Sequence, residues 1–323
     1  MTIRRDSFRK LLLGLALALT ATLAQAYPDR PITMLIGFAP GGGADIIGRI
    51  IAQKMSDILR QPVIVENKPG ANSMIGAHAL VRAKPDGYTI MLNAASLSIA
   101  AATYKKLSFN PIKDLQPISL LATYPYLVTV PSSLPVKNLK DFVAYAKACQ
   151  GKLNYGSSGT GSAPQMGMEL LNSVTGIRTN HIPYKGSGPA IIDLVAGRIS
   201  VMLTEYLGAG AMIRSHSLRV LAVTSAKRSE NLPDVPTAAE LGYSNYDVVG
   251  WYGLDAPVGT PALVIDALYK AAAKAVLSPA VVKHLKDEGA IPMGSTPAHY
   301  RAFFMKDLER WQAVAKKSHI SLD

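Results

Sequence analysis

The chain has 323 residues, a formal net charge of +12, 49% hydrophobic and 17% charged residues, and one cysteine. That apolar content excludes a disordered, self-repelling chain, and the single cysteine excludes an intramolecular disulfide. Its Lys and Arg are scattered, without the interleaved aromatics of a nucleic-acid surface, so a diffuse field that concentrates small anions is expected instead.

Arg4, Arg5, Arg9 and Lys10 precede an almost wholly apolar run over 11–24 and the small-x-small site Ala24-Gln25-Ala26. This is the pattern of a Sec-type signal peptide, with cleavage expected after Ala26 and a periplasmic destination; the apolar run is short for a membrane span. Arg4-Arg5 with Phe8 resembles a twin-arginine signal, but its spacing is imperfect. Loss of four basic residues and Asp6 lowers the charge to about +9. No later stretch is long and apolar enough to span a bilayer, so a soluble mature chain is expected.

Residues 32–38 form a continuous apolar run, as in a strand buried on both faces. Ile46, Ile47, Ile50, Ile51, Met55, Ile58 and Leu59 then recur at helical spacing. Strands at 63–65 and 88–92 flank a helix at 77–82 and a Pro85-Asp86-Gly87 turn. This βαβαβ order implies a parallel sheet with right-handed crossovers. After a proline-punctuated middle the alternation resumes: strand 126–130, helix 141–148, strand 153–156, helix 166–174, strand 181–183, helix 190–196, and strands 200–203 and 219–224. Helices at 263–277, 280–288 and 297–317 end the chain. With no low-complexity linker, the spacing predicts two α/β units joined by ordered crossings.

Three corners share one layout of strand, small residues and helix start: Phe38-Ala39-Pro40-Gly41-Gly42-Gly43-Ala44-Asp45, Tyr155-Gly156-Ser157-Ser158-Gly159-Thr160-Gly161-Ser162, and Pro183-Tyr184-Lys185-Gly186-Ser187-Gly188-Pro189. Such corners aim free N–H groups and the positive end of a helix dipole outward, which suits a carboxylate or phosphate. They lie at the carboxyl ends of strands, where open α/β sheets bind ligands. Taken singly, each is explained by a tight turn or a helix cap, Ser162 ahead of Pro164 among them. Two such corners in separate units point to a cleft between them.

Enzyme motifs are missing. There is no G-x-G-x-x-G and no G-x-x-x-x-G-K-[ST], and Thr160 stands where G-x-S-x-G requires its last glycine. The six histidines lie far apart, with no metal-ligand spacing, and neither metal nor cofactor is expected. Cys149 follows an apolar-periodic segment and reads as an inert buried thiol. A serine hydrolase pairing Ser157 or Ser158 with His181 is the enzyme alternative.

The segments "YPDRPITMLIGFAPGGGADIIGRIIAQKM", "VIVENKPGANSMIGA", "KPDGYTIML", "LNYGSSGTGSAPQMGMELL", "IPYKGSGPAIIDLVAGRISVM", "LRVLAVTSAKRSENLPDVPTAAELGY" and "WYGLDAPVGTP" together resemble the Bug family across the mature chain. These are periplasmic substrate-binding proteins of tripartite tricarboxylate transporters. The resemblance implies an α/β, two-lobed periplasmic-binding-protein (type II, Venus flytrap) fold that closes on a small organic carboxylate. It implies a signal peptide over 1–26, a discontinuous first lobe over 27–123 plus 249–323, and a second lobe over 124–248, with hinges near 122–125 and 248–250.

By the same resemblance, Phe38, Ala39, Pro40, Gly41, Gly42, Ser157, Ser158, Gly159, Thr160 and Ser162 take the ligand carboxylate, partly through water. Asp45 is expected to cap its helix, Asn93 and Ser96 to offer polar contacts, and Tyr184 with Lys185 to form a second-lobe wall. Where the family often shows Phe-Asp, this chain has Leu203-Thr204, with Glu205 turned the other way by strand alternation. Thr204 at the cleft would leave a ligand ammonium unpartnered, implying an uncharged or purely anionic ligand body, and the apolar "NAASLSIAA" implies an aromatic or aliphatic portion. The expected role is delivery to transporter membrane subunits by a monomer; a sensor of the same fold feeding a periplasmic signalling domain is the alternative.

Overall fold

The computed structural model describes residues 27–318; the leader expected over 1–26 lies outside the described residues. Among the described residues, eleven strands and ten helices interleave around two sheets. The apolar run becomes β1 (Ile32–Ile36), followed by α1 (Gly43–Leu59), β2 (Val63–Asn67), α2 (Met74–Val81) and β3 (Thr89–Ala94). β1 pairs in parallel with both β2 and β3, so Ile36 lies opposite Asn67 and Leu92. Every residue of β1 except Thr33 is buried, as helices on both faces require. α1 turns Ile47, Ile51 and Met55 into the core at steps of four.

The first sheet is completed by strands that periodicity did not reveal. β4 (Leu115–Pro125) and β10 (Val249–Pro257) run antiparallel to one another, β10 lies antiparallel to β3, and β11 (Ile291–Pro292) is an edge. The order is β11-β4-β10-β3-β1-β2. Prolines punctuate β4 and glycines β10, which weakens the strand signal of both. The glycines serve packing: a Cβ on Gly250 would come within 2.4 Å of the Tyr124 ring, and one on Gly253 within 2.3 Å of the Tyr300 ring.

The second sheet has the order β7-β6-β8-β5-β9. In chain order its elements are β5 (Leu127–Pro131), α4 (Leu139–Ala148), β6 (Asn154–Ser157), α5 (Ala163–Thr175), β7 (Asn180–Pro183), α6 (Ser187–Val195), β8 (Val201–Thr204), α7 (Tyr206–Arg214) and β9 (Leu218–Val223). β6 is parallel to β7 and β8, whereas β5 is antiparallel to β8 and β9. Two short helices also escaped periodicity, α7 and α3 (Ser96–Thr103). Glycines interrupt α7, and the run of small residues in α3 carries no polar face, so neither shows an amphipathic stripe. α8 (Ala262–Val276), α9 (Pro279–Asp287) and α10 (Pro297–Ser318) return to the first sheet, where α10 packs on α3 and β4. Trp251 is buried there, its indole N–H donating to Asp307 at 2.8 Å.

The chain passes from the first sheet to the second between Pro125 and Leu127, and is back in the first at Val249. Thr224 knots the crossings together. Its buried hydroxyl oxygen accepts the Tyr126 N–H at 2.9 Å, and its own hydrogen faces the carbonyls of Tyr126 (2.9 Å) and Val248 (2.5 Å).

Candidate ligand-binding site

The loops at the carboxyl ends of β1 and β2 face those at the ends of β6, β7 and β8. The glycine-rich corner after β1 lies directly against the corner after β7. Ala39 N–H donates to the Lys185 carbonyl at 2.8 Å, and the two backbones touch because both sides lack side chains. A Cβ on Gly188 would stand 2.6 Å from the Pro40 oxygen and 3.0 Å from the Gly41 carbonyl carbon; one on Gly42 would stand 2.6 Å from the Ser187 hydroxyl. The two lobes are therefore closed on one another.

Glu205 completes that closure. Its Oε1 accepts the Gly43 N–H at the start of α1 (3.0 Å) and the Ser187 hydroxyl (2.7 Å). The positive end of α1 is thus neutralised by a carboxylate of the opposite lobe, as the helix dipole favours. Glu205 is only 4% exposed and stands among Tyr124, Tyr126 and Tyr252. Burial raises the phenol pKa values of all three, and the nearby Glu205 charge adds to the effect.

What remains between the lobes is a cleft with two compartments. The inner one, about 30 Å³, is lined by Ser96, Ser158, Ser162, Glu205 and the three tyrosines. The outer one, about 220 Å³, is lined by Gly70-Ala71-Asn72-Ser73 and Tyr104 on one side and by Ser158-Gly159-Thr160 and Tyr184-Lys185 on the other. Phe38 and Ser158 border both, so the compartments adjoin. Ser96 is buried with its hydroxyl unpartnered.

Of the residues expected at the site, Phe38, Ser96, Ser158, Gly159, Thr160, Ser162 and Tyr184 line the cleft. Ser162 also caps α5 through the Gln165 N–H. The Tyr184 hydroxyl donates to Asp193 at 2.7 Å; burial and then that carboxylate push its pKa up to about 12. Asp45 lies in the first turn of α1 but makes no side-chain cap and borders neither compartment; it accepts the Gly41 N–H at 3.1 Å, just ahead of the helix, together with Arg49 and Asn67. Burial alone would raise its pKa, but these hydrogen bonds prevail and hold the carboxyl below its usual range.

The others need correction. Ala39, Pro40, Gly41 and Gly42 border neither compartment: the opening corner is spent on the closure contact and on Glu205. Asn93 is turned into the first lobe, donating to buried Asp255 at 2.8 Å. Ser157 is fully buried beneath its corner, where it accepts the Gly159 N–H (3.1 Å) and lies 2.6 Å from His181 Nε2. Thr204 shares a 2.7 Å hydrogen bond with Thr129 inside the second sheet. Alternation does turn Thr204 and Glu205 opposite ways, but it is Glu205 that faces the cleft. The inference that a ligand ammonium would find no partner falls with Thr204.

Sequence reasoning missed Asn72 and Ser73. They follow β2 and precede α2, so Pro69-Gly70-Ala71-Asn72-Ser73 is a fourth corner of the same layout. Its signal was present in the small and polar residues between a strand and a helix, but reads equally as a turn.

The family described as tripartite tricarboxylate transporter family receptor (TctC) matches residues 47–320. Protein BugT of Bordetella pertussis is 35% identical over 301 residues, 93% of this chain and 92% of BugT. Among solved structures, the periplasmic binding protein BugD superposes with a TM-score of 0.89 at 33% identity, covering 91% of this chain and 99% of BugD. Malate-bound MatC of Rhodopseudomonas palustris gives a TM-score of 0.86 at 31% identity, covering 89% of this chain and 99% of MatC. With the family matched over most of its length and the two-sheet fold shared, the chain belongs to the TctC/Bug family of periplasmic solute-binding receptors.

Proposed function

We propose that the protein captures a small organic carboxylate between its lobes in the periplasm and delivers it to the membrane subunits of a tripartite tricarboxylate-type transporter. The observation that carries this reading is the 220 Å³ outer compartment, bounded by both lobes and lined by short polar side chains. By volume it holds roughly seven waters, the room a compact acid needs. Malate bound to MatC supports the same ligand class. Backbone N–H groups and short hydroxyls bind a carboxylate through several moderate contacts, which keeps desolvation costs small and release feasible. In this reading the lobes are 27–123 plus 249–323 and 124–248, the hinge is the Thr224 knot, the leader is removed after Ala26, and the receptor works as a monomer without cofactor.

The Ser157–His181 contact raises a hydrolase as the second reading. The hydroxyl is fully buried, and burial holds the His181 pKa down at about 4, so the imidazole is a weak base at neutral pH. Binding without catalysis is therefore the better account.

The test is a thermal-shift screen of purified residues 27–323 against mono- and dicarboxylates, aromatic acids and amino acids, followed by calorimetric titration. A ligand confined to the native state raises the unfolding midpoint. The proposal predicts upward shifts for carboxylates, and a screen in which no carboxylate shifts the midpoint refutes it.

A further inference from the structure

Strand order separates two regions where the lobes meet. The cleft lies beyond β3, β1 and β2 of the first sheet and β6, β7 and β8 of the second, whereas β11 and β9 stand at the opposite ends, with the crossing strands between. Behind the crossings, on the side of β11 and β9, is a cavity of about 630 Å³ with walls from both lobes. Lys286, Ala290 and Ile291 belong to its first-lobe wall, residues 225–231 to its second-lobe wall, and Tyr124, Pro125 and Val249 lie between them. The walls are tied at one edge, where the Asn231 side-chain N–H donates to the Asp287 carbonyl at 2.5 Å; Arg214 of the second lobe also pairs with Glu288 of the first at 3.3 Å. A cavity of this size at a domain junction, with apolar walls and a few polar groups, is the usual form of a small-molecule site. Ile291 on its wall is 59% exposed, so an apolar occupant gains by covering it.

The rim of this cavity carries both signs of charge. Lys227 and Lys286 contribute cations from opposite lobes, and Glu230 and Asp247 contribute carboxylates; all four are exposed, and none forms an ion pair among the described residues. Arg228 is already committed to Glu240 and to the Pro233 carbonyl, both at 2.8 Å. A simple anion or cation would meet like charge on this rim, whereas a zwitterion finds a complement for each end. We propose that the cavity is a second ligand site, that it takes a small zwitterion with an apolar body, an amino acid such as leucine or phenylalanine, and that its occupant strengthens capture in the cleft. Rotation about the crossings that narrows the cleft spreads the cavity behind them, so an occupant fitted to the spread cavity favours the closed lobes. Tyr124 borders both the cavity and the inner compartment, so the two sites share a wall. The inference rests on the hinged, two-lobed reading above. Its coupling is reciprocal, each ligand raising the affinity of the other by the same factor.

The test titrates residues 27–323 with L-leucine and L-phenylalanine by calorimetry, with and without a saturating carboxylate identified in the thermal-shift screen. The expected result is that at least one amino acid binds alongside the carboxylate, each raising the affinity of the other by a common factor of about three or more. Ile291→Asp sets a charge on the apolar wall and should abolish amino-acid binding while leaving the affinity for the carboxylate alone unchanged. Lys286→Glu should weaken amino-acid binding about three- to tenfold. Both positions are exposed, so the unfolding midpoints should hold. Absence of amino-acid binding overturns the proposal, and so does binding that both variants retain. Binding that competes with the carboxylate also overturns it, because competition places the amino acid in the cleft. Binding that Ile291→Asp abolishes but that leaves carboxylate affinity unchanged refutes the coupling. If no carboxylate binds, the capture reading fails by itself; amino-acid binding lost in Ile291→Asp then still upholds the site, and its closing effect is read by small-angle scattering as a smaller radius of gyration with the amino acid bound.

Discussion

Closure of the lobes depends on the missing side chain of Gly188, and Gly188→Ala tests this directly. The new Cβ would lie 2.6 Å from the Pro40 oxygen, 3.0 Å from the Gly41 carbonyl carbon and 3.1 Å from the Gly42 nitrogen. All three are backbone atoms and cannot rotate away, so the α1 corner and α6 must separate by roughly 0.5–1 Å to reach ordinary contact. That displacement stretches the 2.8 Å bond from Ala39 to Lys185 and the 3.0 Å bond from Gly43 to Glu205 past useful length. One neutral and one charge-assisted hydrogen bond together are worth about 2–4 kcal/mol. If binding requires closure, affinity for any carboxylate found in the screen falls by about 30- to 1000-fold. Small-angle scattering of the ligand-free variant should show a larger radius of gyration than the wild type. The lobes themselves should stay intact, because alanine is the better residue within a helix and Gly188 has no left-handed φ to protect. Unchanged affinity and unchanged scattering would refute the argument that backbone contact here holds the cleft shut.

Glu205→Gln keeps an acceptor for Gly43 and Ser187 but removes the charge, so thermal unfolding should show a loss of about 1–3 kcal/mol. The same variant should bind dicarboxylates more tightly by titration calorimetry, because a buried negative charge no longer faces the ligand; weaker dicarboxylate binding would contradict that placement. Thr224→Val leaves the buried Tyr126 N–H without its acceptor and should cost about 1–3 kcal/mol in urea denaturation. Asp255 is buried and its pKa is pushed up to about 7, chiefly by burial, against the opposing hydrogen bonds from Asn93 and Tyr300. The folded state therefore holds a proton that the unfolded chain releases near pH 4, and this group's contribution to stability declines as pH rises from about 4 to about 7. His181, depressed to about 4, contributes with the opposite sign, its stability declining as pH falls from about 6.5 to 4. Asp255→Asn should remove the first slope and leave the second; a pH-stability profile identical to the wild type would refute the assignment.

Much of the architecture is legible in the sequence. The buried β1 run, the stripe at Ile47, Ile51 and Met55 and the βαβαβ order depend on hydrophobic period alone, and they reappear as a parallel three-strand unit. β10 did not, because Gly250 and Gly253 answer to the rings of Tyr124 and Tyr300, which approach from distant parts of the chain. Family membership was legible too, since it rests on residue order and not on geometry.

The corners were legible as corners: strand, small residues and helix start are local properties, and local chemistry determines them. Their partners were not. The stretch "FAPGGGAD" promised a carboxylate, and it holds one, but the carboxylate is Glu205, 162 residues away in sequence. Orientation at Thr204 and Glu205 required knowing which face of β8 looks toward the first lobe, and only the packing of two sheets decides that. Asn72 and Ser73 read as an ordinary turn until their left-handed backbone, burial and missing partners were seen together. Local sequence thus determined where the chain could bind a ligand, whereas the meeting of the lobes decided which polar groups stay unsatisfied, because burial and pairing arise only between segments far apart along the chain.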